Sequence, residues 1–358
     1  MKISKNVFVL ILFAAFLFPG TLKAQYSSKR VKSRYQAYTD SLKNLNYDRV
    51  FPFWGAQAYK KGFDIPYPIG FMANYFWVNQ GVLIDNFQLG FDNAAGGPFD
   101  FPLQPLSDSI IAFGNNTNKS WSFNVRPDLW LFPFIDLYGI FGYGRSVTKV
   151  EVNAFQYSSQ PLRFTSEVEQ AIYTYGVGVL LAGGVGPVWL SMDNNVTWNK
   201  PELLEDATMA WVMGLRMGKL FKFNNKPQSN ISFWIGAMYL SMQSRTVGNI
   251  ALRDAIPDFD ENKQDLINDL EEKKDETGII GDRLIDNLIT IIEERDGESK
   301  ITYAMDKQTK QHWNGLVGMQ YQLNKTWQLR AEGGVIGDRK SFLISLNYRF
   351  LGLSLIHI

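Results

Sequence analysis

The chain predicts an all-β fold: a transmembrane antiparallel β-barrel of about twelve strands, roughly ten to fourteen, with an acidic helical insertion in one long loop. Three observations carry this. Ser341–Phe350, SFLISLNYRF, sets Phe342, Ile344, Leu346, Tyr348 and Phe350 on one parity and Ser341, Ser345, Asn347 and Arg349 on the other, the period of two of a half-greasy strand. The chain opens with an export-type leader. Its connections alternate between short and long.

Residues 1–24 read as a signal peptide, with Lys2 and Lys5 before an apolar run from Val7 to Phe18 and a small-residue cleavage point at Ala24. No later stretch approaches the ~18 apolar residues of a membrane helix. A mature chain in a membrane must then close a barrel to satisfy its backbone. Cysteine is absent, which excludes disulfides and thiolate metal sites. A net charge of +1 gives no overall attraction to nucleic acid. Aromatics make up 15% of the chain, with 30 glycines, which fits a barrel with aromatic girdles, though a secreted soluble β-sandwich shares some of that composition.

Residues 25–50 are polar and basic and are expected to form a periplasmic N-terminal segment with one short helix. The barrel is expected over 51–352. Its strands are Phe51–Lys60, Tyr67–Val78, Val82–Phe91, Trp121–Leu131, Phe134–Arg145, Ala171–Leu181, Val188–Trp198, Thr208–Gly218, Ile231–Met242, Trp313–Leu323, Trp327–Val335 and Ser341–Phe350. Pro127 removes a ladder hydrogen bond from its strand. Short turns are expected near 79–80, 132–133, 183–186, 220–229 and 324–325, and longer loops at 92–119, 146–170, 199–206 and 244–311. An even strand count puts both termini in the periplasm.

The insertion 244–311 is a different polymer. Asn249–Lys300 holds sixteen Asp and Glu against seven Lys and Arg, a net of −9. Leu266, Ile267, Leu270, Leu284, Ile285, Leu288, Ile289 and Ile292 recur at helical spacing. This predicts an extracellular helical hairpin that breaks near Thr277-Gly278. Interface aromatics follow from the register: Trp121, Trp198 and Trp313 at the outer rim, and Trp77, Trp327, Tyr348 and Phe350 at the inner rim. Trp130 and Trp189 come out facing inward, which simple girdles do not explain.

Candidate chemistry lies on the inward faces. Arg126, Asp128 and Asp136 are expected as neighbours around the Phe132-Pro133 turn, with Asp193, Arg216, Arg330, Glu332 and Arg349 elsewhere on the wall. Such charges either form a selective constriction for a polar solute or fill a narrow barrel with ion pairs. Two carboxylates beside an arginine also suit acid/base work, but no nucleophile stands at a recognisable spacing. His312 falls at a strand end without a Gly-x-Ser-x-Gly elbow. Asp258-x-Asp260-x-Asn262 begins like a calcium loop, yet Lys263 and Asp269 replace its glycine and glutamate. Gly142-Tyr143-Gly144 lacks the βαβ setting of a phosphate loop. No cofactor and no metal is expected.

Leader, period-two strands, aromatic rims, loop alternation and the aromatic-ended last strand together resemble the Gram-negative outer-membrane β-barrel class across Phe51–Phe350. The resemblance implies location in the outer membrane among its lipids and lipopolysaccharide, and insertion by the barrel-assembly machinery. It also implies a porin-like channel or transporter for small polar solutes. The alternatives are a non-conducting structural or interaction barrel that binds a partner through the acidic insertion, and a lipid-modifying enzyme using His312. Leu353–Ile358, LSLIHI, matches the translation of a transposase mosaic-end adapter, so neither this stretch nor His357 is given a role.

Overall fold

The computed structural model describes residues 28–91, 101–105, 111–154, 162–202, 206–223, 225–243, 245–251, 253, 259–274, 285–286, 289–290, 292–294 and 300–352. The expected signal peptide, the helix break at Thr277-Gly278 and the 353–358 tail lie outside the described residues.

The first half holds β1 (Ile69–Phe91), β2 (Phe101–Pro105), β3 (Ile111–Phe113), β4 (Asn116–Phe132), β5 (Ile135–Ala154), β6 (Leu162–Val185) and β7 (Val188–Pro201). The second holds β8 (Thr208–Phe223), β9 (Lys226–Gln243), β10 (Arg245–Ala251), β11 (Lys300–Thr309), β12 (Trp313–Gln322), β13 (Trp327–Ile336) and β14 (Lys340–Phe350). Ten of these close a ring in the order β1, β4, β5, β6, β7, β8, β9, β12, β13, β14, each antiparallel to both neighbours. The seam is β1 against β14, in register from Ile69↔Phe350 to Asn79↔Lys340. Ring closure leaves no edge strand at this level, the condition for burying strands in lipid.

The ring has ten strands where the sequence suggests about twelve, and two corrections account for the difference. No turn breaks the chain at Asn79-Gln80-Gly81: these residues pair with Lys119, Asn118 and Thr117 of β4, so β1 runs on as one strand. Phe51–Lys60 is not a strand but contains the short helix α2 (Gly55–Lys60). With no strand to pair with, it buries Ala58 and Tyr59 against Leu42 and Ile65. The even count survives because two strands are lost. The loop expected at 146–170 is mostly strand, since β5 and β6 pair continuously out to Ala154↔Leu162. Pro127 interrupts pairing with β5 while keeping its place opposite Phe71 of β1.

Above Asn79, β11 takes the place of β14 beside β1, from Val82↔Thr309 to Phe91↔Ile301, and β10 pairs with β11. The insertion therefore leaves and re-enters the barrel as a β-ribbon that heightens the wall. The helical part is antiparallel, as its spacing predicts. Lys263 near the start of α3 (Phe259–Lys273) donates to the Glu293 carbonyl at 2.9 Å, and Lys274 just past its end pairs with Asp286. Ile267, Leu270, Ile285 and Ile292 are buried.

The long connections gather at one end of the barrel together with the short β13–β14 turn, and the other short turns lie at the opposite end. At the turn end the N-terminal segment does more than the expected polar tail. Helix α1 (Ser28–Lys43) and α2 share a small core of Leu42, Ala58, Tyr59 and Ile65, with Tyr38 and Tyr47 against it. One side is fastened to the β4–β5 turn. Phe53 N donates to Leu131 O at 2.7 Å, and the Trp54 ring lies 4.9 Å from that of Phe132. The other side is fastened to the β12–β13 turn, where Lys325 pairs with Asp64 at 2.7 Å and lies over the rings of Tyr59 and Tyr67. Four ring strands separate the two turns, so the segment joins two sides of the mouth as a cap.

Burial draws the Lys325 ammonium down, but the Asp64 carboxylate outweighs it and the net shift is upward. A raised lysine value stabilises the cap fully below the ordinary value of 10.5 and loses that contribution as pH rises through the raised value. The cap should therefore hold unchanged through neutral pH and loosen only in strong alkali. Lys325→Met should remove about 1.5–3 kcal/mol, the range for hydrogen bonds to charged groups. Limited proteolysis of the N-terminal segment at pH 7 reads this out, and cleavage at the wild-type rate would contradict it.

Candidate functional site: the charged lumen

Inward-facing residues follow from strand parity. On β1, Met72, Asn74, Phe76 and Val78 point in while Phe71, Tyr75 and Trp77 point out; Phe71 and Trp77 are exposed and Asn74 and Val78 buried. The outer surface carries Phe123, Val125, Phe141, Tyr175, Val177, Leu215, Val317, Leu329, Ile344 and Leu346, all exposed. An apolar exterior with ions inside is the arrangement lipid requires. Strand β9, apolar on both parities, resolves the same way: Ser232 and Trp234 are buried and Phe233 is exposed.

The inward charges gather at two levels. Near mid-height, Arg216 on β8 pairs with Asp193 on β7 and reaches Glu332 on β13 through Nε at 2.6 Å and Nη2 at 2.9 Å. Arg330 donates to the same carboxylate at 2.8 Å, as does Trp234 Nε1 at 2.9 Å. The Arg330 guanidinium also lies 4.9 Å from the Trp234 ring centre, within cation–π range. Glu332 thus accepts from three side chains that span the barrel from β8 to β13.

Nearer the turn end, Arg349 on β14 meets Asp128 on β4 at 2.5 Å and Asp136 on β5 at 4.0 Å. It also donates to Tyr67 O at 2.8 Å and lies 5.7 Å from the Trp130 ring centre. The two aspartates are neighbours as the sequence suggests, but their cation is Arg349. Arg126 turns instead to the Tyr138 ring, 5.5 Å away. Tyr138 donates to Asn195 at 2.6 Å, and Asn195 to Asp193 at 3.0 Å, so the wall between the two levels is also bonded.

Glycines make room for this filling. Gly218 faces Trp189 across β7–β8, Gly318 faces Trp234, Gly178 faces Tyr138 and Gly70 faces Asp128. A Cβ at any of these would stand 2.3–2.5 Å from the large side chain opposite. The inward tryptophans are explained here. Trp189 packs edge-on to Trp234 at 5.8 Å and donates to Ser232 at 2.8 Å, and Trp130 lies beside Arg349. Sequence reading places Asn195 on the inward face but missed Trp234 and Tyr138. A glycine at the facing position was the available signal, but it needs the register to be read.

Trp313 and Trp198 stand at the loop end, and Trp327 and Tyr348 at the turn end with rings 4.7 Å apart. Phe350 stacks on Phe71 at 6.4 Å. Trp77 is a correction: opposite Trp121 and Phe342, it belongs to the loop-end half, because β1 continues past the turn that would have placed it low. His312 Nδ1 lies 2.9 Å from Leu240 O and 3.2 Å from Thr309 Oγ1, and its ring stacks on Tyr239. No serine is among its described hydrogen-bond partners. Asp260 sits in the first turn of α3, and no group of three possible metal ligands occurs among the described residues.

A closed antiparallel ring, apolar outside and ion-paired inside, is a transmembrane β-barrel of the bacterial outer-membrane class. No protein-family model and no curated protein sequence matches the chain. Solved structures similar to it include the β-domain of the Bordetella autotransporter BrkA, at 10% identity over 79% of this chain and 100% of that one, TM-score 0.36. Another is the translocator domain of autotransporter NalP from Neisseria meningitidis, at 10% identity over 89% and 94%, TM-score 0.32. A third is the toluene transporter TbuX of Ralstonia pickettii, at 8% identity over 79% and 90%, TM-score 0.26. At these scores the fold assignment rests on the strand ring itself.

Proposed function

We propose that the protein is a gated outer-membrane conduit for a small polar solute, exported by its leader, with both termini in the periplasm and a path along the inward face of β14. One observation carries this reading. Eleven described residues bury a side-chain polar atom without a partner, and eight of them lie on the consecutive strands β12, β13, β14, β1 and β4 or in the turn just before β14. They include Arg330, Ser345, Asn347, Asn74 and Arg126. The opposite wall, β7 and β8, has none among its described residues. An atom of this kind that meets neither water nor a polar solute costs about 1–3 kcal/mol. A conformation admitting water or a polar solute along β14 relieves those costs, whereas opening the β7–β8 side would break bonds already made.

The chain has no native cysteine, so single cysteines report the path. Ser345→Cys on β14 should be modified by a small cationic thiol reagent, and modification should block conductance in planar bilayers. Thr174→Cys on β6, at the same level across the lumen and bonded to Asn199, should leave it unaffected. A second reading, a non-conducting interaction barrel, is favoured by the folded state of the insertion, which buries its own apolar residues and is tied by one ion pair and one lysine–carbonyl hydrogen bond. Absence of conductance at every voltage, in wild type and in Glu332→Ala, would eliminate the conduit and leave this reading.

A further inference from the structure

We infer that Phe53 and Trp54 anchor the N-terminal cap in the bilayer interface at the turn end of the barrel, with phospholipid as the occupant of this aromatic surface. Both residues are exposed, Trp54 at 58%. Trp54 holds φ 67° just before α2 and makes no side-chain cap bond to that helix. Such a left-handed backbone is unfavourable for a residue with a Cβ, and the protein covers less than half of the residue it presents.

The surface continues the lipid-facing wall. A register shift between Trp130 and Phe132 of β4 turns Phe132 away from the lumen. It stands opposite Ile135 of β5, and Ile135 stands opposite Leu181 of β6. Directly opposed residues share a face, and Leu181 and Leu137 are exposed on the apolar exterior. Phe53 and Trp54 pack on this row, with ring centres 5.7 Å and 4.9 Å from that of Phe132. Trp54 also lies 6.1 Å from Phe134, itself exposed. The cap thus carries the apolar band past the last strand pair, where aromatic rings favour the headgroup level.

Charge supports the same occupant. Residues 28–67 hold eight Lys and Arg against three Asp, a net of +5. Those aspartates are already paired, Asp40 with Lys43, Asp48 with Arg49 and Asp64 with Lys325. Lys60 and Lys61, at the end of α2, are exposed. A basic segment with an exposed Phe-Trp edge suits an anionic phospholipid surface. On the orientation proposed above this is the periplasmic leaflet, but the contact needs neither that orientation nor conduction.

The test uses the full chain in nanodiscs of phosphatidylethanolamine and phosphatidylglycerol, where both leaflets face water. The chain has no native cysteine, so Trp54→Cys carries a single nitroxide, and Phe141→Cys on the exposed face of β5 gives the lipid-facing reference. As at 141, the label at 54 should be reached more by oxygen than by a water-soluble nickel chelate. Nickel exceeding oxygen at 54 places it in water and overturns the inference; shielding from both reagents places it under protein and does the same. A second measurement needs no label and keeps an aromatic ring. Lipid brominated near the headgroup should quench the wild type more than Trp54→Phe, the difference being the emission of Trp54. Equal loss of emission in the two overturns the anchor, whereas a purely structural Trp54 would shift the unfolding midpoint without any bromine-dependent difference.

Discussion

Glu332→Ala is expected to produce the largest loss of stability of any single lumen substitution, about 3–5 kcal/mol, the range for breaking a buried ion pair by removing one partner. Three donors converge on that carboxylate: Arg216, Arg330 and Trp234. Its removal leaves Arg216 with only Asp193 and deprives Arg330 of its partner, both inside the barrel. The measurement is the denaturant midpoint in detergent, together with tryptophan emission, since Trp234 loses its acceptor. If Glu332→Ala unfolds at the wild-type midpoint, the mid-height layer does not hold the barrel.

Arg349→Met should cost a similar amount, about 3–5 kcal/mol, for a different reason. It leaves Asp128 and Asp136 buried beside each other with no cation, and it cuts the tie to Tyr67 O that positions the chain entering β1. Adding Asp128→Asn and Asp136→Asn should recover much of the loss, because the uncompensated charges are gone. A triple variant no more stable than Arg349→Met would show that the loss comes from packing rather than charge.

Much of the wall was legible in the residues. Alternation in Ser341–Phe350 places Arg349 and Asn347 inside and Tyr348 and Phe350 outside without reference to any other strand, because side chains on an extended backbone alternate faces whatever the neighbour. The same rule put Asp193, Arg216, Arg330 and Glu332 in the lumen. It failed at Asn79-Gln80-Gly81, where a polar run resembles a turn but is part of a continuing strand that pairs with Lys119, Asn118 and Thr117 of β4. It failed at Phe51–Lys60 because period-two apolarity in so short a stretch also suits a helix whose buried face is supplied by a neighbouring helix. The helical spacing of the insertion was readable, but its flanking ribbon was not, since β10 and β11 become strands only by pairing with each other and with β1.

For the alternating strands the sequence by itself determined which side chains face lipid and which face the lumen, and with that the class of fold; β9, apolar on both parities, was left to the structure. Tertiary structure alone decided which of them meet. Arg349 finds Asp128 across 221 positions of chain because ring closure sets β14 beside β1 and β1 beside β4. Alternation assigns a face but carries no information about the partner across a strand. The ring also decided that Ser341–Phe350 is half of a closing seam, paired with β1 from Ile69 to Val78.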